Sequence, residues 1–230
     1  MPNGRTKNVR RRKASSKLAA KVSKIESMLS KTVENKVSDF NNGSNPIQFS
    51  TTPYSVLAFA RGLSTGSDGD ERVGNKMTLM SQSWKMTVRA PAGTLDEQQN
   101  QVRILLVENV GFTGSTDLAL SDVLQYGDFA QYGSQVFISP YKTNATDSTK
   151  RYRILMDKLM TFSKTDKGYR HIRYKKRYGS KSNPGKVLTF DNAVEQFPNN
   201  HRVVLFAISD SANANHPDIA WNCRNIYKDA

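Results

Sequence analysis

The sequence has few of the features that mark secreted, membrane-spanning or disulfide-stabilised proteins. It contains one cysteine, Cys223, so no intrachain disulfide can form, which fits folding in a reducing compartment. Its longest purely apolar run, 203–208, is far too short to cross a bilayer. No apolar core follows the basic N-terminus, so we expect no secretion signal. With 230 residues, the chain is long enough to bury a substantial core.

Motifs of the common enzyme classes are also missing. The sequence has no P-loop, no dinucleotide-binding glycine motif and no HExxH. None of its histidines (His171, His201 and His216) has metal-ligand spacing with another, and Cys223 has no cysteine partner for zinc. A Cys–His pair stays an open alternative, but a lone cysteine in a terminal strand is more often a small core residue. We therefore predict neither a catalytic activity nor a cofactor.

Acidic residues are absent from the first 25 positions, and the first side-chain carboxylate in the sequence is that of Glu26. Nine basic residues precede it, and they are the predicted nucleic-acid contacts: Arg5, Lys7, Arg10, Arg11, Arg12, Lys13, Lys17, Lys21 and Lys24. Residues 1–40 carry a net charge of +8, residues 164–186 carry another +8, and the remainder carries −2 of the total of +14. Two basic segments on a nearly neutral body indicate a polyanionic partner, most often nucleic acid.

The basic start of the chain has three interpretations. Residues 1–13 lack an apolar pattern and repel one another, so we expect them to be disordered. They fit a plain flexible tail, a nuclear import signal, or an arm that neutralises phosphates without a fixed register. Import and neutralisation use the same residues and are compatible. We favour nucleic-acid contact.

An amphipathic helix is predicted over 15–39, because apolar residues recur there at three- and four-residue spacing. It could cover the body, lie on a membrane, or bundle with copies of itself. Its acids and its lack of aromatic residues before Phe40 disfavour a membrane. The seam predicted to self-associate consists of Leu18, Val22, Ile25 and Leu29. Such a short seam needs a body that already holds the copies together.

After Pro46 the pattern becomes that of an all-β protein. Strands are predicted at 52–61, 74–90, 101–108, 150–163, 168–178, 186–190, 202–209 and 219–228. About eight strands with long connections favour a two-sheet sandwich or barrel, with an eight-stranded jelly roll as the leading choice. Strands and helices do not alternate, which disfavours a doubly wound α/β fold. We divide the chain into a basic arm with its helix, 1–40, and a jelly-roll domain, 41–230.

Finer patterns predict local structure within the body. The apolar parity switches between "MTL" and "WKMTV", which predicts a bulge near Met80 to Gln82. Segments 102–107 and 203–208 are apolar on both parities, so both should be central buried strands. A short helix is predicted around Leu118, Val123 and Leu124, capped by Ser115 or Thr116 and stopped by Gly127. In the strand from 150, one face should hold Tyr152, Ile154, Met156, Met160 and Phe162.

The second basic segment alternates in character. His171, Arg173, Lys175 and Arg177 share one parity, while Ile172, Tyr174, Lys176 and Tyr178 share the other. One interpretation is a sheet surface that binds phosphates or open bases. The other is an edge strand whose charges deter edge-to-edge association. The candidate nucleic-acid contacts here are Arg170, Arg173, Lys175, Lys176 and Arg177.

An acidic cluster in "GSDGDERVG" is the weak candidate for a metal site. Asp68, Asp70 and Glu71 would supply oxygen ligands for a structural calcium at a subunit contact. Their spacing does not match an EF-hand loop, and a solvated loop between strands explains the same residues. We favour the loop.

Four segments carry a resemblance to a known family. They are "GDERVGNKMTLMSQSWKMTVRA", "VRILLVENVGFTGSTDLALSDVLQYGD", "SPYKTNATDSTKRYRILMDKLMTFS" and the ending "IYKDA". They resemble capsid proteins of circular Rep-encoding single-stranded DNA viruses (circovirus-like) and satellite tobacco necrosis virus-type coat proteins. The most specific match is "KRYRILMDK", which is similar to the family's K-R-[FY]-x-I-L-x-D. The resemblance covers about 47–163, extends weakly to the last thirty residues, and departs over 164–200.

The resemblance implies a jelly-roll capsid subunit that self-assembles into a T=1 icosahedral shell of about sixty copies, with arms turned inward onto the genome. It implies a virion protein that passes through the host nucleus if an import receptor binds the arm. A single-stranded DNA genome is favoured over RNA, and no membrane is involved. The alternatives are a non-viral basic β-sandwich that binds nucleic acid, and a sandwich-fold enzyme, for which the strands offer few carboxylates.

Overall fold

The computed structural model divides into two compact units, residues 1–35 and 36–230. In the first unit, helix α1 is described over 17–25, and its side chains there are exposed. The structure describes residues 17–25, 35–47, 56–57, 65–66, 71–90, 99–110, 118–142, 152–163, 168–180, 183–192, 198–210 and 217–229.

The second unit is built from two antiparallel sheets. Its strands are β1 (Lys36–Pro46), β2 (Val56–Leu57), β3 (Lys76–Arg89), β4 (Gln99–Asn109), β5 (Tyr152–Ser163), β6 (Tyr169–Arg177), β7 (Lys186–Thr189), β8 (Arg202–Ser209) and β9 (Asp218–Asp229). Sheet A has the order β1-β9-β3-β6, and the short β7 pairs with the first part of β3. Sheet B has the order β2-β8-β4-β5.

The chain crosses repeatedly from one sheet to the other, as in a jelly roll. β3 lies in sheet A and β4 in sheet B, then β5 lies in sheet B and β6 in sheet A. This arrangement pairs strands far apart in sequence, such as β1 with β9 and β4 with β8. The predicted all-β jelly roll is confirmed: eight of the nine described strands form its two four-stranded orders, and β7 is an additional short strand paired with β3.

The first strand corrects the sequence prediction. The helix predicted to continue to Asp39 is wrong at its end, because β1 already begins at Lys36 and pairs with β9. Val37 and Phe40 fit a helical stripe locally, yet in the strand they lie opposite Ile226 and Cys223. Long-range pairing along β9 has overridden the local pattern.

The main core lies between the two sheets. Trp84 and Trp221 meet at its centre with their ring centroids 5.4 Å apart, and Phe40 packs on Trp221 at 5.1 Å. Sheet B contributes alternate residues of β4 and β8, including Ile104 and Leu205. Cys223 is fully buried in this core, as expected for a small apolar residue, and burial raises the pKa of its thiol.

The predicted bulge in β3 is confirmed. The register between β3 and β9 shifts between Leu79 and Ser81, which leaves Met80 as the extra residue. Met77 and Leu79 therefore face the same side as Trp84, although their parity differs. They pack in a separate buried cluster with Tyr227 at one end of sheet A.

A second bulge, in β5, corrects another prediction. The register with β4 shifts between Leu106 and Val107, so that Met156 pairs with Leu106 and Ile154 with Val107. Met156, Met160 and Phe162 face the core between the sheets, but Tyr152 and Ile154 pack on the outer side of sheet B. The five residues do not share one face, because the bulge at Leu155 reverses the parity.

The outer side of sheet B is covered by residues 118–142, which explains why β4 and β8 are apolar on both parities. This segment holds the short helices α2 (Leu120–Val123), α3 (Phe129–Tyr132) and α4 (Gln135–Ile138). Leu118, Val123 and Leu124 are buried against outward residues of the sheet, as predicted. The burial of both central strands is thus confirmed.

The ends of α2 differ from the prediction. Ala119 holds the N-cap position, and its backbone N–H donates to Asp122 Oδ2 at 2.8 Å. Ser115 and Thr116 lie outside the described residues. The helix ends at Val123 rather than at Gly127. Gly127 has a different reason to be glycine, since a Cβ there would lie 2.6 Å from the Leu120 carbonyl oxygen.

A buried arginine fastens this covering segment to sheet B. Arg103 forms a two-point ion pair with Asp157, with N···O distances of 2.7 and 3.1 Å. Its remaining nitrogen, Nη1, donates to the carbonyl oxygens of Val136 and Ser139. The Tyr141 hydroxyl donates to the same carboxylate at 2.8 Å, and burial with this contact raises the tyrosine pKa.

Candidate nucleic-acid interface

The predicted arm residues fall partly within the described chain. Lys17, Lys21 and Lys24 lie on helix α1 and are exposed. The rest of the predicted contacts lie outside the described residues: Arg5, Lys7, Arg10, Arg11, Arg12 and Lys13. The apolar seam is likewise exposed on α1, with Leu18 at 65%, Val22 at 46% and Ile25 at 56%, and Leu29 lies outside the described residues.

The second basic segment forms β6, the edge strand of sheet A opposite β1. Its outer face, away from the core, carries Arg173, Lys175 and Arg177, all exposed. The alternation predicted from sequence is confirmed, because Ile172 is buried and Tyr174 is half-buried on the other side. Successive outward side chains in a strand are about 6.7 Å apart, so these cations form an evenly spaced row.

Two of the five predicted contacts on β6 do not lie in this row. Arg170 has the inward parity, and its guanidinium lies 5.8 Å from the centroid of the Phe162 ring at the rim of the sandwich. Lys176 is half-buried, with its ammonium 6.0 Å from the Tyr178 ring. Their cations contact aromatic rings of the protein itself.

The face of β6 that carries Tyr174 and Tyr178 packs against the protein's cores, so these two rings are not part of a surface for open bases. Tyr174 packs against the main core and Tyr178 against the cluster of Met77 and Leu79. Burial raises the pKa of both phenols, and it does so strongly for Tyr178. Rings enclosed in this way cannot receive a nucleobase on the outer face.

The basic surface extends onto β3, which sequence reasoning missed. Lys85 and Arg89 are exposed and lie opposite Arg173 and Tyr169 on β6. The signal was available, since both residues alternate with the buried Trp84, Met86 and Val88. Within the described part of the chain, five of the outward cations form no ion pair: Lys85, Arg89, Arg173, Lys175 and Arg177.

Acidic residues on this face are few in the described part of sheet A. Asp39 on β1 forms a two-point ion pair with Arg224 on β9, at 2.6 Å for both contacts. That hydrogen-bonded pair, with the nearby charge of Lys85, lowers the pKa of Asp39. Asp218 on β9 lies opposite Arg89. The centre and the β6 side of the face thus stay positive.

The distribution of cations separates the two interpretations of β6. Charges that only deter edge-to-edge pairing are needed on the edge strand itself. Here Lys85 and Arg89 lie one strand further in, and Lys85 is directly opposite Arg173. Like charges opposite each other destabilise a sheet. Protection of the edge strand alone does not require the cations of β3, which lie inside the sheet.

The calcium candidate gains no support from the described residues. Asp68 and Asp70 lie outside them, and the backbone carbonyl of Glu71 accepts a hydrogen bond from Lys36 Nζ. No group of three potential metal-ligating side chains occurs within the described ranges.

The remaining groups with catalytic potential are held in structural contacts. Asp157 is paired with Arg103. Glu108, at the end of β4, lies 3.4 Å from Arg153 and 3.6 Å from the fully buried His201. Burial, with the charge of Lys186, lowers the His201 pKa to about 3. Both carboxylates are thus held by cationic side chains within the sheet.

No helix in the described part of the chain is long and apolar enough to span a bilayer.

No family model matches the sequence, and no curated protein matches it. Among solved structures, one of Desmodium yellow mottle tymovirus is 9% identical over 86% of this chain and 87% of its own, with a TM-score of 0.35. A 60-mer of the BFDV capsid protein is 8% identical over 86% and 93%, with a TM-score of 0.31. A decameric form of the BFDV capsid protein is 9% identical over 85% and 96%, with a TM-score of 0.32.

Proposed function

We propose that this chain is a viral capsid protein whose copies assemble into a closed T=1 shell of about sixty subunits around single-stranded nucleic acid. The observation that carries the proposal is where the positive charge lies on a jelly-roll body. One block of +8 precedes the body, and the second contributes Arg173, Lys175 and Arg177 to the outer face of sheet A. A shell needs one surface to face its contents, and this face has the required charge.

The N-terminal arm is the main packaging element in this proposal. Nine basic residues without an acid among them suit phosphate contacts that need charge and reach rather than fixed geometry. At +8 per copy, about sixty arms would neutralise on the order of 500 phosphates. The genome is single-stranded DNA in preference to RNA, because the body sequence looks closer to capsid proteins of single-stranded DNA viruses. An import receptor that binds the same arm would direct the protein to the host nucleus before it enters the virion.

Helix α1 would join copies to one another. Leu18, Val22 and Ile25 on helix α1 are exposed, so a single copy leaves their apolar side chains in water. Burial against the same stripe of neighbouring copies would remove this apolar surface from water. The assembled bodies would bring the helices together.

The body also offers an apolar surface for contacts between copies. Ile138, Tyr141 and Leu159 are 79%, 43% and 51% exposed. They surround the Arg103–Asp157 ion pair: Leu159 lies opposite Arg103 in the sheet, and Tyr141 bonds to Asp157. Ile138 precedes Ser139, whose carbonyl accepts from Arg103. Apolar residues grouped on a rigid surface are typical of interfaces between proteins.

Deletion of residues 1–24 tests the packaging role. We expect particles or oligomers of the deleted chain to contain much less nucleic acid, measured by the ratio of absorbance at 260 and 280 nm after nuclease treatment. The far-UV circular dichroism of the β body should be unchanged, because residues 36–230 form their own compact unit. Equal nucleic-acid content in the two proteins would reject the role of the arm.

The alternative is a non-viral β-sandwich that binds nucleic acid through the same residues. It is favoured by the same charge distribution, which by itself does not require a shell. It predicts a monomer or small oligomer that binds nucleic acid in a salt-sensitive way and encloses nothing. The size of the assembled species therefore separates the two functions.

A further inference from the structure

One aromatic side chain on the basic face is exposed instead of buried. Tyr169, at the start of β6, is 58% exposed, the highest value for a described aromatic residue. It stacks on His171 with ring centroids 6.4 Å apart and an interplanar angle of 12°. His171 Nδ1 is 3.1 Å from the Thr87 hydroxyl, a contact that orients the imidazole ring. The two rings thus lie nearly parallel, are exposed to solvent, and are called the ring pair below.

The ring pair and the cations lie in one line along the outer face of β6. Tyr169, His171, Arg173, Lys175 and Arg177 all share the outward parity of β6. Their spacing of about 6.7 Å places a ring pair at one end and three cations beyond it. Arg89, opposite Tyr169, adds a fourth positive charge beside the rings. The spacing between successive outward side chains of β6 is comparable with the distance between successive phosphates of an extended single strand.

We propose that the outer face of β6 is a track for single-stranded nucleic acid, in which Tyr169 and His171 stack on a base while Arg173, Lys175 and Arg177 contact successive phosphates. This inference rests on the proposed nucleic-acid role and specifies its ligand. Stacking requires an unpaired base, which a single strand offers and an intact duplex keeps inside its helix. Edge protection explains the cations of β6 but gives no reason for an exposed, oriented ring pair.

Salt dependence measures the phosphate contacts in the full chain, with its arm present. Fluorescence anisotropy with a thymidine homopolymer of roughly 30 nucleotides gives the slope of log affinity against log salt. We expect the double variant Arg173→Gln/Lys175→Gln to reduce the magnitude of that slope by about 1.4, since each single-strand phosphate contact contributes about 0.7. The matched control Lys142→Gln/Lys158→Gln removes two exposed charges elsewhere and should leave the slope unchanged.

Base stacking has its own measurement. Tyr169→Ala should weaken binding of the homopolymer about fivefold or more and leave the salt slope unchanged, because it removes a stacking contact and no charge. Tyr169→Phe should retain the affinity. Tyr126→Ala, which removes another exposed tyrosine from a ring pair, should have no effect. The same series with a uridine homopolymer distinguishes DNA from RNA as the ligand, and a duplex of equal length should not respond to Tyr169→Ala.

The outcomes separate this inference from the proposed function. Normal binding by both β6 variants, alongside tight binding by the unchanged protein, would overturn the track and leave the arm as the nucleic-acid site. An equal loss of duplex and single-strand binding in Tyr169→Ala would overturn the single-strand assignment. Absence of any nucleic-acid binding by the full chain would overturn both the track and the proposed function. Thermal unfolding midpoints equal to that of the unchanged protein would show that the variants fold.

Discussion

Acid should destabilise this protein through one buried histidine, His201. Its side chain is fully buried at the start of β8, edge-on to Tyr178 with ring centroids 5.6 Å apart. Burial, reinforced by the charge of Lys186, lowers its pKa to about 3. The Glu108 carboxylate, 3.6 Å away, acts in the opposite direction, but Arg153 lies 3.4 Å from that carboxylate and offsets its charge. The neutral imidazole is thus the form that the folded protein keeps.

The sign and size of the effect follow from linkage between protonation and folding. An unfolded histidine has a pKa of about 6.5, so below that pH the unfolded chain binds a proton that the folded chain excludes until pH falls to about 3. The contribution of His201 is complete above pH 6.5 and is lost as pH falls. The loss approaches 1.36 kcal/mol per pH unit, which is about 2 kcal/mol between pH 6.5 and 4.5. That is a large part of a typical stability of about 5–15 kcal/mol.

Urea unfolding at several pH values between about 7 and 4.5 measures this loss. His201→Gln removes the titrating ring, so the free energy of unfolding of the variant should fall less with acid, by about 2 kcal/mol over the window. Curves that stay parallel for the two proteins would refute the reasoning. Proton NMR of the imidazole provides an independent check, because the His201 resonances should not titrate above about pH 4.

Two further predictions concern sheet B. Arg103→Ala should lower the free energy of unfolding, measured by thermal unfolding, by about 3 kcal/mol, because it leaves Asp157 and two carbonyls without their buried partner. Arg103→Lys keeps the charge and should lower that free energy less. Equal losses in the two variants would contradict a role for the two-point contact with Asp157. Leu159→Ser should raise the protein concentration needed for assembly, measured by light scattering. The control is Val187→Ser on β7, where the native side chain is similarly exposed, and it should leave that concentration unchanged. Equal effects of the two substitutions would exclude the apolar surface around Leu159 as an interface.

The two bulges show what sequence patterns can reveal about this fold. In β3 the parity switch is visible because Ser81, Gln82 and Ser83 separate the two apolar series. In β5 the extra residue is Leu155, flanked by Ile154 and Met156, so an uninterrupted apolar run conceals the reversal. A bulge can be predicted only where the residues around it differ in polarity.

The sequence pattern likewise predicted only part of the candidate nucleic-acid interface. The alternation in β6 identified the outward Arg173, Lys175 and Arg177, because the strand has polar residues on one face. It could not show that the rings of Tyr174 and Tyr178 are enclosed, which depends on the cores they join. Nor could it bring Lys85 and Arg89 next to β6, since that proximity comes from pairing between strands about ninety residues apart.

Electron microscopy of the full chain, expressed alone, tests most directly whether its copies form a shell. We expect closed isometric particles of uniform size that contain nuclease-protected nucleic acid. It also predicts that high salt weakens the hold on that nucleic acid, because the contacts are to phosphates. Persistent monomers or small oligomers across a range of salt and pH would contradict the shell and leave the non-viral nucleic-acid-binding protein as the better description.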